Sequence, residues 1–376
     1  MTRVAMVIQR YLPHLGGAER QVHQLAPRLR ALGYEVCVLT RHEKGLLRYE
    51  VIDGVPVHRL LCIGPKALAA AIFTMSAVLM LTRLHPDLVH AHEILTPARI
   101  AALSKRIIKS PILLKILRGG RIGDVHKLKR RPFWKSYFEY LRRNVDAFIV
   151  ISQEIYTELA ALNVPEEKLC FIPNGVDTER CIPVSKEQKI KLRAQLSFPA
   201  HAPIVVFVGR LVPEKRVDHL LKLWPAIRSN YPDALLLIVG EGREEQQLRA
   251  RLVDGAQFTG QVRDAVPYLQ AADLFVLPSS TEGLSNAMLE AMSCGLPVLA
   301  TSVGGAPDVI RHEESGYLIP PDDMDSLQAG LETLLGDEAL RFTLGSNART
   351  RILSDFSLDA VAKRLAALYR RLLNEK

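Results

Sequence analysis

Nine short apolar runs recur along the chain with helical patterns between them, and this alternation constrains the fold more than any other feature. The runs form two sets: Val4–Ile8, Val36–Thr40, Leu88–Ala91, Ile112–Leu117 and Ala147–Ile151, then Ile204–Val208, Leu235–Val239, Leu274–Leu277 and Val298–Ala300. A repeated strand, helix, strand order predicts parallel sheets. Because the runs do not alternate apolar and polar residues, we expect helices to cover both faces of each sheet.

The two sets are separated by Pro173–Asp177 and then by a polar stretch that reaches Pro203, and this segment predicts a domain boundary. With 376 residues, the chain is long enough for two domains that each bury a full core. We therefore predict an α/β fold with two Rossmann-like parallel-sheet domains, over residues 1–183 and 184–352, that face across a cleft. Residues 353–376 are expected to form a C-terminal helix that can pack back on the N-terminal domain. Ligands of such sheets bind at the carboxyl ends of the strands.

Composition places the chain among ordinary globular proteins, since 48% of its residues are hydrophobic and 24% are charged. The five cysteines are odd in number and never closer than eleven positions, which argues against a CxxC metal site or a disulfide framework. A reducing, cytoplasmic location fits this pattern. The uncharged run Ala67–Thr82 has sixteen residues, fewer than the roughly twenty that cross a bilayer. We interpret it as a buried helix.

Positive charge is concentrated in the first half of the chain. Residues 1–183 hold 27 Lys and Arg against 16 Asp and Glu, and the stretch Arg99–Arg143 alone holds fourteen basic and two acidic residues with interleaved aromatics. Such a stretch suits an anionic membrane surface, where each Lys or Arg contributes about 1 kcal/mol. Two alternatives remain: contact with nucleic acid, or a solvated basic face whose aromatics lie in the core.

Three segments that follow predicted strands contain residues suited to binding or catalysis. The glycine pair of Gly16–Glu19 begins a helix, where backbone N–H groups can approach a phosphate, although a glycine pair is often only a turn. Arg210 and Lys215 share the loop after Ile204–Val208 and suit a diphosphate, although they could also be surface charges.

Two carboxylates, Glu282 and Glu290, lie eight positions apart after the run Leu274–Leu277. The spacing predicts Glu282 in a loop and Glu290 two turns into the next helix. Carboxylates commonly accept hydrogen bonds from sugar hydroxyl groups. Because the neighbours of Glu290 are apolar, we expect it to be buried, and a buried carboxylate needs a partner.

Several motifs occur in order over nearly the whole chain: Gly-Gly-x-Glu at 16–19, Asn174–Asp177, Gly-Arg-Leu-x-x-Glu-Lys at 209–215, the Glu-x7-Glu pair, Thr301–Asp308 and Gly316–Pro321. Together they resemble the retaining glycosyltransferases of family four, which have the GT-B fold. The resemblance implies transfer of a sugar from a UDP- or GDP-sugar to a lipid-linked or saccharide acceptor at the cytoplasmic membrane face. We predict no cofactor beyond the donor and no nucleic acid partner. No Asp-x-Asp pair or His and carboxylate cluster with metal-ligand spacing lies near Arg210 and Lys215, so we also predict no metal ion.

The resemblance also implies roles for individual residues. The catalytic set would be Arg210 and Lys215 on the diphosphate and Glu282 on the sugar. The substrate-binding set would be Gly16, Gly17, Glu19, His92, Arg118, Val262, Gly283, Leu284, Ser285 and Glu290. Arg118 departs from the family pattern, because many members carry a histidine there that touches the donor sugar.

Two other functions fit a chain of this architecture. A nucleotide-sugar epimerase builds its site on the same fold, and a non-catalytic nucleotide-sugar or membrane-binding protein could retain it. The Glu-x7-Glu pair and the loop with Arg210 and Lys215 count against the epimerase. The presence of all four of these charged residues counts against a protein that has lost catalysis.

Overall fold

The computed structural model describes residues 1–14 and 16–374, and the chain divides into two compact units. The first unit runs to Asn174 and includes the last helix, Leu358–Asn374, while the second is Gly175–Ser357. The unit boundaries therefore differ from the predicted 183 and 352. The second unit begins within Asn174–Asp177 because the Val176 N–H donates to the Phe356 carbonyl at 2.8 Å, near the end of that unit.

The first unit contains an eight-stranded sheet with the strand order β3-β4-β2-β1-β5-β6-β7-β8. Its strands are β1 (Thr2–Val7), β2 (Tyr34–Arg41), β3 (Tyr49–Ile52), β4 (Val55–Leu60), β5 (Leu88–His92), β6 (Ile112–Lys115), β7 (Ala147–Val150) and β8 (Leu169–Phe171). All neighbouring strands are parallel except the β3–β4 hairpin.

The second unit contains a six-stranded parallel sheet with the order β11-β10-β9-β12-β13-β14. Its strands are β9 (Ile204–Val208), β10 (Leu235–Val239), β11 (Ala256–Gly260), β12 (Leu274–Leu277), β13 (Val298–Thr301) and β14 (Tyr317–Ile319). Side chains of β9, β10, β12 and β13 are almost completely buried, so the core lies along this sheet.

Helices connect the strands in both units. In the first unit they are α1 (Gly17–Ala31), α2 (Lys66–Leu84), α3 (Thr96–Ile108), α4 (Asp124–Lys129), α5 (Trp134–Asn144) and α6 (Gln153–Ala160), with α15 (Leu358–Asn374) at the end of the chain. In the second unit they are α7 (Lys186–Gln195), α8 (Val217–Asn230), α9 (Glu245–Arg249), α10 (Val266–Ala271), α11 (Asn286–Ser293), α12 (Ala306–Val309), α13 (Met324–Gly336) and α14 (Glu338–Asp355).

The predicted fold class of two Rossmann-like parallel-sheet domains is confirmed, and all nine predicted strands are present. The strands that the apolar runs did not reveal are β3, β4, β8, β11 and β14. Four of these five lie at sheet edges, where one side of the strand is open. Edge strands bury less apolar surface, so their sequences carry a weaker signal.

Helix α15 packs within the first unit, against α1 and β2. The Tyr34 hydroxyl donates to the Ala366 carbonyl at 3.0 Å, and Arg28 pairs with Asp359 at 3.1 Å. The apolar face of α15 is buried, including the fully buried Tyr369. The chain therefore returns to the first unit after completing the second.

Helix α2 corrects one prediction, because the run Ala67–Thr82 does not form a buried helix. Only 22% of an apolar 18-residue window of α2 is buried in the structure. By length and composition alone, α2 is also long and apolar enough to cross a membrane. Phe73, Ala77 and Leu81 face the core, while the opposite side is open to solvent. Composition alone did not reveal this, since apolar residues cover all sides of the helix.

Candidate functional site

The loop after β9 holds two predicted cations in different surroundings. Arg210 follows the strand by two residues, and its side chain is exposed. Lys215 ends a short 3-10 turn, Pro213–Lys215, and its ammonium pairs with the Glu282 carboxylate. Each partner of this pair is only 13% exposed. The loop thus presents one cation to solvent and holds the other against a carboxylate.

The loop after β12 supplies Glu282 and meets the loop after β9. The Ser279 hydroxyl donates to Oε1 of Glu282 at 2.9 Å, and the Ser280 N–H donates to the Glu214 carbonyl at 2.9 Å. Because β9 and β12 are neighbouring parallel strands, their carboxyl ends bring both loops to the same edge of the sheet. The structure therefore joins Lys215 and Glu282, which lie 67 positions apart in the sequence.

The end of β13 and the loop after it contact the loop that carries Glu282. Thr301 donates through its hydroxyl to the Ser279 carbonyl at 2.5 Å. The Gly305 N–H donates to the Gly283 carbonyl at 2.6 Å, and a Cβ at Gly304 would lie 2.6 Å from the Glu282 carbonyl oxygen. These residues belong to the motif Thr301–Asp308, but sequence reasoning assigned them no place in the site. Their close backbone approach explains the paired glycines.

Helix α11 follows directly and carries the second carboxylate. Ser285 is its N-cap and accepts a hydrogen bond from the Met288 N–H at 3.3 Å. Gly283 and Leu284 lead into this cap. Glu290 lies in the second turn of α11 and is buried, which its apolar neighbours indicated. The cap sets the direction in which α11 leaves the Glu282 loop.

Val262, the residue predicted to meet the donor base, follows β11 and is partly buried. In the sheet, β10 separates β11 from β9. Val262 therefore lies on the same carboxyl edge, farther from Glu282 than Arg210 and Lys215 are. An extended ligand on this edge would pass Glu282, then the β9 loop, and then Val262.

In the first unit, the predicted phosphate loop begins α1. Gly16 is the N-cap, Gly17 is the first helical residue, and Glu19 lies in the first turn. A Cβ at Gly16 would lie 2.3 Å from Oε2 of Glu19, so the Glu19 carboxylate folds back over the N-cap. An acidic side chain is favourable at a helix N-terminus. A phosphate near Gly17 would first meet this carboxylate, whereas a ligand hydroxyl could donate to it.

His92 ends β5 and is buried, with its ring stacked on His90 at a centroid distance of 4.2 Å. Burial and the nearby Lys115 lower the pKa of His92 to about 3. Its Nε2 has no hydrogen-bond partner within residues 1–14 and 16–374. His92 is therefore a neutral imidazole near pH 7, too weakly basic to gain a proton there.

Glu93 is the residue that sequence reasoning missed in this unit. Its φ of 92° is strained for a residue other than glycine, and such strain concentrates at functional sites. Burial, with help from the charges of Asp124 and Glu19, raises the pKa of Glu93 to about 6, against the opposing effects of Lys127 and Arg118. An acidic residue directly after the buried strand β5 was the available signal.

Arg118 lies in the loop after β6, partly buried. Its carbonyl accepts a hydrogen bond from the Asp124 N–H at 3.0 Å, and the Asp124 carboxylate accepts one from the Leu117 N–H at 2.8 Å. The charge of Arg118 lowers the pKa of Glu93 and the charge of Glu19 raises it, so both predicted residues act on one carboxyl group.

Two known protein families together match most of the chain. The family described as Glycosyltransferase Family 4 matches residues 15–180, and the family described as Glycosyl transferases group 1 matches residues 188–351. The two matches correspond to the two sheets in chain order.

Individual relatives agree with these families. An uncharacterized glycosyltransferase of Methanocaldococcus jannaschii is 30% identical, covering 98% of both chains. A GDP-mannose-dependent monoacylated alpha-(1-6)-phosphatidylinositol monomannoside mannosyltransferase of Corynebacterium glutamicum is 34% identical over 59% of this chain and 61% of its own. The solved sucrose-phosphate synthase of Thermosynechococcus elongatus is 25% identical, covers 100% of both chains and superposes with a TM-score of 0.87. The chain is a member of the group 1 glycosyltransferases of the GT-B type, which use nucleotide-sugar donors.

Proposed function

We propose that this enzyme transfers a sugar, with retention of configuration, from a UDP- or GDP-sugar to a lipid-linked or polysaccharide acceptor at the cytoplasmic face of a membrane. The observation that carries the donor half is the Lys215–Glu282 pair at the carboxyl edge of the second sheet. This pair places a cation and a hydroxyl acceptor side by side, with Arg210 exposed on the same loop. A sugar diphosphate needs these two kinds of contact at neighbouring positions.

Arg210 and Lys215 would bind the diphosphate. Negative charge grows on the leaving phosphate as the sugar–phosphate bond breaks, and fixed cations stabilise that charge. Arg210 is free to close on a ligand, because its guanidinium is exposed. Lys215 is already oriented by Glu282, so it loses little side-chain entropy on binding.

Glu282 would accept hydrogen bonds from the sugar hydroxyl groups. Lys215 and Ser279 both bind its Oε1, which leaves Oε2 for the sugar. Glu290 would bind the ribose hydroxyls, and the backbone near Val262 would meet the base. The N–H groups of Gly283, Leu284 and Ser285 would complete the sugar site.

Retention follows from a front-side displacement. The bond between the anomeric carbon and the phosphate oxygen breaks, and the bond to the acceptor oxygen forms on the same face of the sugar. The acceptor hydroxyl gives its proton to the leaving phosphate, so the step needs no basic side chain. The low pKa of His92, about 3, agrees with this scheme, because that imidazole could not take the proton near pH 7.

The proposed reaction is independent of metal ions, because Arg210 and Lys215 supply the positive charge that a divalent cation supplies in other enzymes. Within the part of the chain that the structure describes, no three His, Cys, Asp or Glu residues are grouped as metal ligands. The measurement is turnover after treatment with EDTA, which should be unchanged. A loss of turnover that Mg²⁺ or Mn²⁺ restores would contradict this part of the proposal.

The acceptor side of the proposal is supported by the basic first unit and by a relative. The mannosyltransferase of Corynebacterium glutamicum acts, by its name, on a phosphatidylinositol monomannoside, a lipid-linked acceptor. In this chain the basic stretch Arg99–Arg143 suits a surface with anionic lipids. A lipid-linked acceptor is therefore the form that we favour.

The test is a screen of UDP-, GDP- and ADP-sugars with release of the nucleoside diphosphate as the readout. Lys215→Ala should abolish release, while Lys222→Ala, an exposed lysine on α8, should leave it unchanged. The anomeric configuration of the product, read by NMR, tests retention. An epimerase would instead change the donor sugar without a transfer product, and a non-catalytic protein would bind a donor without turnover.

A further inference from the structure

Helix α2 presents an apolar stripe to solvent. Leu68, Met75 and Leu79 are 53%, 63% and 53% exposed. They are seven and four positions apart, so they lie along one side of the helix. The other side packs in the core through the fully buried Phe73 and Ala77. The stripe therefore belongs to a helix that lies on the surface of its unit.

The stripe continues onto neighbouring elements. The Ser76 hydroxyl donates to the Leu61 carbonyl at 3.3 Å, which holds the preceding loop and its exposed Ile63 beside α2. Helix α3 packs beside α2, where Arg99 donates to the Thr74 hydroxyl at 3.1 Å. Leu103 and Ile107 are exposed four and eight positions after Arg99. We call this surface the apolar face: Ile63, Leu68, Met75, Leu79, Leu103 and Ile107.

The charges around the apolar face have one sign. Helix α2 and residues 96–109 contain six Lys and Arg and no Asp or Glu. Lys66, Arg83, Arg106 and Lys109 are exposed, while Lys105 pairs with Asp146. An exposed apolar surface with a rim of positive charge is complementary to a bilayer that contains anionic lipids.

We propose that the apolar face rests in the interface of an anionic membrane, with α2 parallel to the bilayer plane. A second copy of this chain is a poorer occupant, because two identical basic rims would meet and repel. A helix that crossed the bilayer would have to withdraw Phe73, Ala77 and Leu81 from the core of the unit. The docking surface deepens the proposed function, which places the acceptor at a membrane. It overlaps the basic stretch Arg99–Arg143 at Leu103 and Ile107, but apolar contacts carry it.

The experiment measures flotation of the full chain with two kinds of vesicle. One kind contains phosphatidylcholine only, and the other contains phosphatidylcholine with phosphatidylglycerol. The test variant combines Leu68→Gln, Met75→Gln and Leu79→Gln. Its matched control combines Leu252→Gln, Phe342→Gln and Leu353→Gln, three apolar residues that are 51%, 80% and 48% exposed in the second unit.

We expect the wild type to float with anionic vesicles and the α2 variant to lose at least about tenfold in partitioning, because apolar area no longer leaves water. The control should float like the wild type. Salt should weaken the binding only in part, since charge attraction is screened and apolar burial is not. Brominated lipids should quench the tryptophan fluorescence of Met75→Trp more strongly than that of the wild type, which contains only Trp134 and Trp224.

Three outcomes would overturn the inference. They are a wild type that does not float, an α2 variant that floats like the wild type, and a lipid-free dimer that the α2 substitutions convert to a monomer. Release of nucleoside diphosphate from a soluble donor, measured without vesicles, keeps the two proposals apart. The α2 variant should retain that release, and its circular dichroism should match the wild type. If the wild type releases no nucleoside diphosphate from any donor, only the transferase proposal is contradicted.

Discussion

The Lys215 ammonium and the Glu282 carboxylate form an ion pair in which each side chain is only 13% exposed. A pair that is this little exposed is weakly screened, and removal of one partner leaves a charge without compensation. When a sugar diphosphate binds, Lys215 must share its charge between Glu282 and the phosphate. The pair thus links recognition of the sugar to recognition of the leaving group.

Substitution of both partners of this pair should destabilise the second unit by less than the two single substitutions added together. We expect Lys215→Met and Glu282→Gln to cost about 1–3 kcal/mol each, and the double variant to cost less than their sum, because it leaves no unpaired charge. Chemical unfolding of the four proteins measures this coupling. Turnover should be lost in all three variants, because both residues are proposed to bind the donor. A double variant that regains stability but not turnover separates the role of the pair in folding from its role in donor binding. Additive losses of stability would contradict the coupling.

Gly304 should not tolerate a side chain. Its φ is 57°, and a Cβ would lie 2.5 Å from the Gly283 carbonyl oxygen, so Gly304→Ala must displace the backbone that carries Glu282. We expect donor turnover to fall by about 10- to 100-fold, as for displacements near 1 Å. Gly33→Ala is the matched control, because Gly33 has a φ of 91° but a Cβ there would meet no atom within 4 Å. Equal turnover losses in both variants would show that backbone strain alone is responsible.

The raised pKa of Glu93 has a consequence for stability. The pKa of Glu93 is about 6 in the folded chain and 4.5 for an unperturbed glutamate, so the folded state binds more protons than the unfolded state between these pH values. Stability should therefore fall as the pH rises through this window, and the ionised carboxyl should cost about 2 kcal/mol above it. Glu93→Gln should remove that cost at pH 7.5 but give no gain at pH 4. Unfolding titrations at both pH values measure it, with a substitution of the exposed Glu179, Glu179→Gln, as the control.

The lowered pKa of His92 acts in the opposite direction. Its pKa is about 3 in the folded chain against 6.5 as the reference, so the unfolded chain binds the extra proton below pH 6.5. Stability should fall as the pH decreases from 6.5 towards 3, by about 1.4 kcal/mol per pH unit for this one proton. His92→Gln should reduce the slope by that amount between pH 6 and 4. A substitution of the exposed His201, His201→Gln, is the control, and a slope equal to the wild type in His92→Gln would refute the assignment.

The fold could be predicted where a strand is central in its sheet. β1, β5, β9 and β12 are buried on both faces, so their sequences are nearly continuous apolar runs. The hairpin strand β3 instead exposes Tyr49 and Val51 and lies at an edge, where the sequence signal is mixed. Burial, and not strand propensity, decided which strands the sequence revealed.

The candidate site divides in a similar way. Glu282 and Lys215 could be chosen as residues that follow predicted strands, because the carboxyl ends of parallel strands meet at one edge. Their direct pairing depends on the neighbouring positions of β9 and β12 in the sheet, although 67 positions separate them in the sequence. Glu93 follows a strand in the same manner, but its significance depends on φ and on its charged neighbours, which no short sequence window contains.

By itself, the sequence determined the two parallel-sheet domains, their order and the loops that carry polar residues, because apolar periodicity and motif spacing are local properties of the chain. Tertiary structure alone decided that α2 exposes Leu68, Met75 and Leu79, that α15 returns to the first unit, and that Lys215 is neutralised by Glu282. The physical reason is that burial and charge pairing depend on which elements become neighbours in space. A run of apolar residues is the same sequence whether a neighbouring element covers it or leaves it open.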